Sequence, residues 1–158
     1  MKNFATWFRP WETGVLHRAL TRLWLCAGVY LLLVLWLWYW PYTGEGDSIL
    51  HYWNLRTTWV DPRLGLTVWA RPMYVLLMVF PAQFGIVAVR CWAAFVAILL
   101  VWQTMRMADV LRLPNATLAG LLLIFQPLTF ALASDTMTEI PMALGLAIAL
   151  RLWWAKQF

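Results

Sequence analysis

Four apolar runs separated by polar links set the frame of the chain. The first, Leu23 to Trp40 (LWLCAGVYLLLVLWLWYW), holds eighteen residues without a charge, and at about 1.5 Å of rise per residue such a helix matches the hydrocarbon core of a bilayer. It ends in Trp36, Trp38, Tyr39, Trp40 and Pro41. That end is an interfacial aromatic belt and not a small-residue cleavage site, so the run reads as an uncleaved anchor. The second stretch, Met73 to Trp102, is interrupted by Pro81, Gly85 and Arg90. As one helix it would reach about 45 Å, too long for a single span, and split in two it would give spans that are too short. The economical solution is a short interfacial or re-entrant helix over Met73 to Phe80 followed by a span over about 86–102. Runs over about 113–133 and 141–154 supply two more spans, the last opening on Pro141, where a missing N–H is no loss.

Composition turns this pattern into a fold class. Of the 158 residues 63% are hydrophobic and only 12% are charged, whereas charged residues make up roughly a quarter of a soluble domain. The aromatic share, 16%, excludes disorder. The chain is therefore predicted to be all-α, a polytopic membrane protein with about four transmembrane helices and an external loop, about 41–85, bearing interfacial helices. Residues 1–22, with Trp7, Phe8, Trp11, Val15 and Leu16 among Arg9, His17 and Arg18, read as a cytoplasmic amphipathic segment. Residues 23–158 form the transmembrane module.

Scarce charges make their placement informative. Lys2, Arg9, Arg18, Arg22, Arg106, Arg112, Arg151 and Lys156, eight of the twelve basic residues, fall on the side of the two termini. The positive-inside rule puts both termini in the cytoplasm, in this reading of a bacterial inner membrane. The sequon Asn115, Ala116, Thr117 then lies at the cytoplasmic edge of the third span and stays unmodified. The net charge of +5 does not point to nucleic acid, because the basic residues are scattered singly and form no patch. Cys26 and Cys91 both sit in apolar runs and offer neither a disulfide framework nor a CxxC metal site. Walker A, dinucleotide-glycine and HExxH motifs are absent, and the spans lack the central ionisable residues a transporter needs.

Candidate chemistry gathers on the external side. The loop segment from Pro41 to Pro72 carries Glu45, Asp47 and Asp61, and the link ASDTMTEIP carries Asp135 and Glu139. Two loops facing one compartment thus present carboxylates at one membrane depth, able to hold a divalent metal through Asp47, Glu139 and Asp135 or to place a general base beside a polar acceptor. Arg71 and Arg90 approach from the same side and suit a lipid phosphate, which guanidinium binds through paired N–H donors. His51 is a candidate for acceptor binding. Each has a structural counterpart: Asp47 as a cap of the segment 48–57, Asp61 before Pro62 as a turn, Glu139 as a first-turn helix acid, and Arg90 as a snorkelling or paired cation.

The order of features, GEGD and then HYW in the first external loop, WxRP leading into PMYVLLMVFPAQFG, an Arg early in the second span and TEIP before the fourth, resembles the N-terminal part of the GT-C membrane glycosyltransferases. These are polyprenyl-phosphate-sugar-dependent enzymes of the protein mannosyltransferase and aminoarabinose transferase kind. The resemblance implies transfer of a sugar from a polyprenyl phosphate donor to an acceptor hydroxyl on the external face. Asp47 matches the loop acid and would be the general base of an inverting reaction. Trp69, Arg71 and Pro72 match the segment returning to the membrane, and Glu139 matches an acid between spans three and four. Family members are longer and often carry two adjacent acids where this chain has Glu45 and Asp47 around Gly46. The chain is thus expected to be the front of a larger enzyme, completed by further spans or subunits. The alternative is a non-catalytic four-span accessory or lipid-binding protein.

Overall fold

A computed structural model of the chain describes residues 13–39, 46–66 and 71–155. Seven α-helices follow one another among them: α1 (Thr13–Tyr39), α2 (Gly46–Val60), α3 (Pro72–Ala82), α4 (Ile86–Val110), α5 (Ala116–Ile124), α6 (Pro127–Ala133) and α7 (Glu139–Ala155), with a 3-10 turn over Pro62–Leu66 after α2. No strand occurs among the described residues.

Two helices, His17–Tyr39 within α1 and all of α4, are long and apolar enough to cross a membrane, and a third qualifies if α5 and α6 count as one bent span. α1 shows why water is the wrong solvent. It buries one stripe, Cys26, Val29, Leu33 and Leu37, while Leu23, Trp24, Leu31, Leu32, Leu35 and Trp38 stay exposed. Apolar residues pointing outward on every other side of a helix need lipid around them. α1 also begins at Thr13, so residues 13–22 continue the helix of the first apolar run. The rest of the amphipathic segment assigned to 1–22 lies outside the described residues.

α4 is the central helix and packs against α1, α3, α5 and α7. Its small residues allow this: Ala93, Ala94, Ala97 and Ala108 are all buried, so neighbouring backbones approach closely. At Gly120 on α5 the approach leaves no room for a side chain, because an added Cβ would meet Met105 Cε at 2.5 Å and Val101 Cγ1 at 3.1 Å. α4 runs to Val110, eight residues beyond the Trp102 expected from the apolar pattern, because Gln103, Arg106 and Asp109 continue the helix past the apolar run.

The stretch expected to form one span over 113–133 is a helix pair bent by 71°. Gln126 is extended (φ −64°, ψ 127°) and Pro127 opens α6. A residue before proline is pushed out of the helical region, which ends α5. Thr129 Oγ1 donates to Gln126 Oε1 at 2.6 Å across the break. The short helix expected over 73–80 is α3, bounded by Pro72 and by Gly85, whose φ of 103° only glycine adopts cheaply. Trp92 Nε1 on α4 donates to Leu77 O at 2.9 Å and holds α3 against it. α7 has seventeen residues and covers the fourth apolar run.

Candidate functional site

The N-terminal ends of α2, α3, α4 and α7 meet at one end of the bundle, with the link 134–138 threaded between them. α2 turns one face inward, Ser48, His51, Tyr52, Leu55 and Thr58. Ser48 Oγ donates to Asp135 Oδ2 at 2.7 Å. Asp135 Oδ1 accepts from the Thr136 backbone N–H at 2.8 Å. Thr136 returns the contact by donating its hydroxyl to Ser48 O at 2.6 Å. Below them, Tyr74 OH on α3 donates to Thr136 O at 2.8 Å. Buried polar groups need partners, and this ring of hydrogen bonds supplies them from within the chain.

The two guanidiniums assigned to phosphate binding both reach the same link. Arg71, in front of α3, donates through Nη1 to Thr138 Oγ1 and lies 3.2 Å from Met142 Sδ. Arg90 on α4, only 8% exposed, donates through Nε to Ser134 O at 2.8 Å. It therefore caps the C-terminal end of α6, where a cation is favoured by the helix dipole. Beside Arg90 a groove of about 290 Å³ runs between α1 and α4, lined by Val34, Leu37, Trp38, Ile86, Val87 and Cys91. Its walls are apolar and its one cation is Arg90.

Asp47 and Glu139 sit in the first turns of α2 and α7 and are both exposed. Helix N-termini favour such acids. Asp47 was expected to cap a helix starting at Ser48. The helix starts at Gly46 instead, so Asp47 is a first-turn residue with its carboxylate free of any cap bond to 48–57. Asp61 does form the expected turn, its Oδ1 accepting from the Arg63 N–H at 3.1 Å.

His51 links these charges. It is 8% exposed and packs edge-on against Tyr74, with ring centroids 5.6 Å apart. Burial lowers its pKa below the ordinary value; Glu139 opposes this, Arg71 reinforces it, and Asp47 and Asp135 oppose it. All four charged groups therefore lie within electrostatic reach of one imidazole. Its Nδ1 is buried without a hydrogen-bond partner. His51 is therefore a buried residue among these charged groups. Burial, with Asp135 and Glu139 adding to it, raises the Tyr74 phenol well above its ordinary pKa.

The fold thus brings together Asp47, His51, Arg71, Asp135 and Glu139, with Arg90 one layer deeper; Trp69 lies outside the described residues. Ser48, Tyr74, Thr136 and Thr138 also belong to the site and were not singled out from the sequence. The signal for the last two was there: Ser134, Thr136 and Thr138 alternate with Asp135, Met137 and Glu139, an unusually polar link between two apolar runs. Asp135 commits both oxygens to Ser48 and Thr136, and among the described residues no three His, Cys, Asp or Glu side chains converge on one point. No family model, no curated protein and no solved structure matches the chain.

Proposed function

We propose that the chain is a membrane glycosyltransferase module of GT-C type, moving a sugar from a polyprenyl phosphate to an acceptor hydroxyl. The observation that carries this reading is the division of labour among the acids. Asp135 is tied into the hydrogen-bond ring, whereas Asp47 stays exposed above it at the head of α2. An exposed carboxylate is open to an acceptor hydroxyl, whereas both oxygens of Asp135 already accept hydrogen bonds from Ser48 and Thr136. In this reaction the acceptor oxygen attacks the anomeric carbon, the bond from that carbon to the phosphate oxygen breaks, and polyprenyl phosphate leaves with the electron pair. The acceptor proton goes to Asp47, and inversion follows because the enzyme forms no covalent bond to the sugar. Arg71 and Arg90 offset the charge that develops on the phosphate, and Glu139 holds a second negative charge near Asp47. The apolar groove beside Arg90 suits the first isoprene units of the donor.

The same proposal includes the topology. α1, α4, the bent pair α5 and α6, and α7 are four crossings, with both termini in the cytoplasm of a bacterial inner membrane and the carboxylate site outside. Reporter fusions after residues 45, 113 and 137 test it, the first and last reporting the external side and the middle one the cytoplasm. Asn115 has its own task in this arrangement, since its side chain accepts from the Leu118 N–H at 3.0 Å and caps α5.

A second reading, a non-catalytic lipid-binding or accessory protein, is favoured by one observation: the groove beside Arg90 lies open along a helix seam and is too small to hold donor and acceptor together. Consumption of a polyprenyl-phosphate sugar by the wild-type chain, lost in Asp47→Asn, supports the transferase. Binding of polyprenyl phosphate with no consumption supports the second reading.

A further inference from the structure

At the opposite end of the bundle a second charged site joins the start of α1 to the end of α4. Arg22 on α1 forms a two-pronged ion pair with Asp109 on α4, Nη1 to Oδ2 at 2.5 Å and Nη2 to Oδ1 at 2.9 Å. The two helices close around a cleft of about 530 Å³, lined by Arg18, Arg22, Trp102, Arg106 and Asp109 with Ala19 and Val110. Asp109 answers Arg22, and Arg106 beside that pair leaves the lining electropositive.

The depth of this cleft is set by the sequence. Arg22 immediately precedes the uncharged run of α1, and Arg106 immediately follows the uncharged run Cys91 to Met105 of α4. Both guanidiniums therefore stand where a bilayer's hydrocarbon gives way to its phosphates, and Trp102 is the interfacial aromatic expected at that level. A guanidinium there has lipid phosphate as its nearest abundant anion, and its fork of N–H donors matches two phosphate oxygens. The ion pair adds preorganisation: it fixes the spacing of α1 and α4 and holds Arg22 in place, while the exposed Arg106 faces the opening.

We propose that this cleft is a binding site for the headgroup phosphate of an anionic phospholipid, with Arg106 as the principal phosphate ligand and Arg22, positioned by Asp109, as the second. The site is independent of the carboxylate cluster and of the transferase reading. Trp102 and Ala19 give the upper acyl chain an apolar wall.

The test is retention of phosphatidylglycerol by the full chain, read by native mass spectrometry from micelles holding equal phosphatidylglycerol and phosphatidylcholine. The wild type retains phosphatidylglycerol preferentially. Arg106→Gln lowers that retention about fivefold, the effect of one cation at a charged lipid surface. Arg63→Gln, the same charge change at the other end of the molecule, leaves it unchanged. Equal loss in Arg106→Gln and Arg63→Gln overturns the proposal by reducing the effect to net charge. Displacement of the lipid by millimolar inorganic phosphate also overturns it, by making the site one for free phosphate.

Discussion

Ser48 and Asp135 stand 87 residues apart in sequence and share a hydrogen bond of 2.7 Å, Ser48 Oγ donating to Asp135 Oδ2. This bond, doubled by Thr136 Oγ1 to Ser48 O, fastens the loop helix α2 to the link between α6 and α7. Ser48→Ala removes the donor and leaves a half-buried carboxylate oxygen short of a partner. A hydrogen bond to a charged group contributes about 1.5–3 kcal/mol, so denaturation in mixed micelles should register a loss of that order. An unchanged midpoint would mean that α2 is held by its apolar face alone.

Acid should loosen the same site through His51. Its pKa is held below the ordinary 6.5. The folded state thus binds fewer protons than the unfolded state, and stability is fully present above about pH 6.5 and is lost as pH falls from there through the lowered folded pKa. Glu139, Asp47 and Asp135 temper the shift and Arg71 adds to it, all from elements packed around the ring. His51→Gln should flatten the stability profile below about pH 6.5, followed by thermal unfolding at each pH. A slope identical to the wild type's would assign the acid sensitivity elsewhere.

Gly120 is a packing test of the central helix. Gly120→Ala drives a Cβ toward Met105, which is fully buried and has little room to swing away. Overpacking of this kind costs about 1–3 kcal/mol. Adding Met105→Ala to Gly120→Ala should remove the clash, so the pair should be less destabilised than the sum of the single changes, measured by unfolding of all four variants. Strict additivity would show that α4 and α5 do not touch there.

The groove proposed to hold the donor's lipid can be blocked without disturbing the acids. Val87 lines it and is 62% exposed, so Val87→Trp fills the seam between α1 and α4 from its open side. Retention of a C55 polyprenyl phosphate should fall at least about tenfold, while melting stays near the wild type because exposed substitutions cost little. Undiminished retention would remove the groove from the account.

Local physics made part of this legible. The uncharged runs announced α1 and α4, and Pro72, Pro81 and Gly85 announced α3 as a separate short helix. The break at Gln126 and Pro127 was hidden because the run around it stays apolar on both sides, so composition is continuous where the backbone is not. Asp47, Arg71, Asp135 and Glu139 could be named as a group because the predicted topology puts them on one side. Their partners could not: Ser48 and Tyr74 look like ordinary helix residues until packing sets them against Asp135 and Thr136. Asp109 drew no attention either, because its importance comes from Arg22, which lies on another helix 87 residues away.

The central claim is that Asp47 takes the acceptor proton, and it is tested most directly by donor consumption in proteoliposomes. Mannosyl and aminoarabinosyl polyprenyl phosphates, the donors suggested by the family resemblance, would be supplied with membrane vesicles as the acceptor source. The account predicts that the wild-type chain, with whatever spans or subunits accompany it, releases polyprenyl phosphate. It predicts that Asp47→Asn loses at least about a hundredfold in rate, the usual worth of a general base, with insertion and C55 polyprenyl phosphate retention intact. Release by Asp47→Asn at the wild-type rate would contradict it.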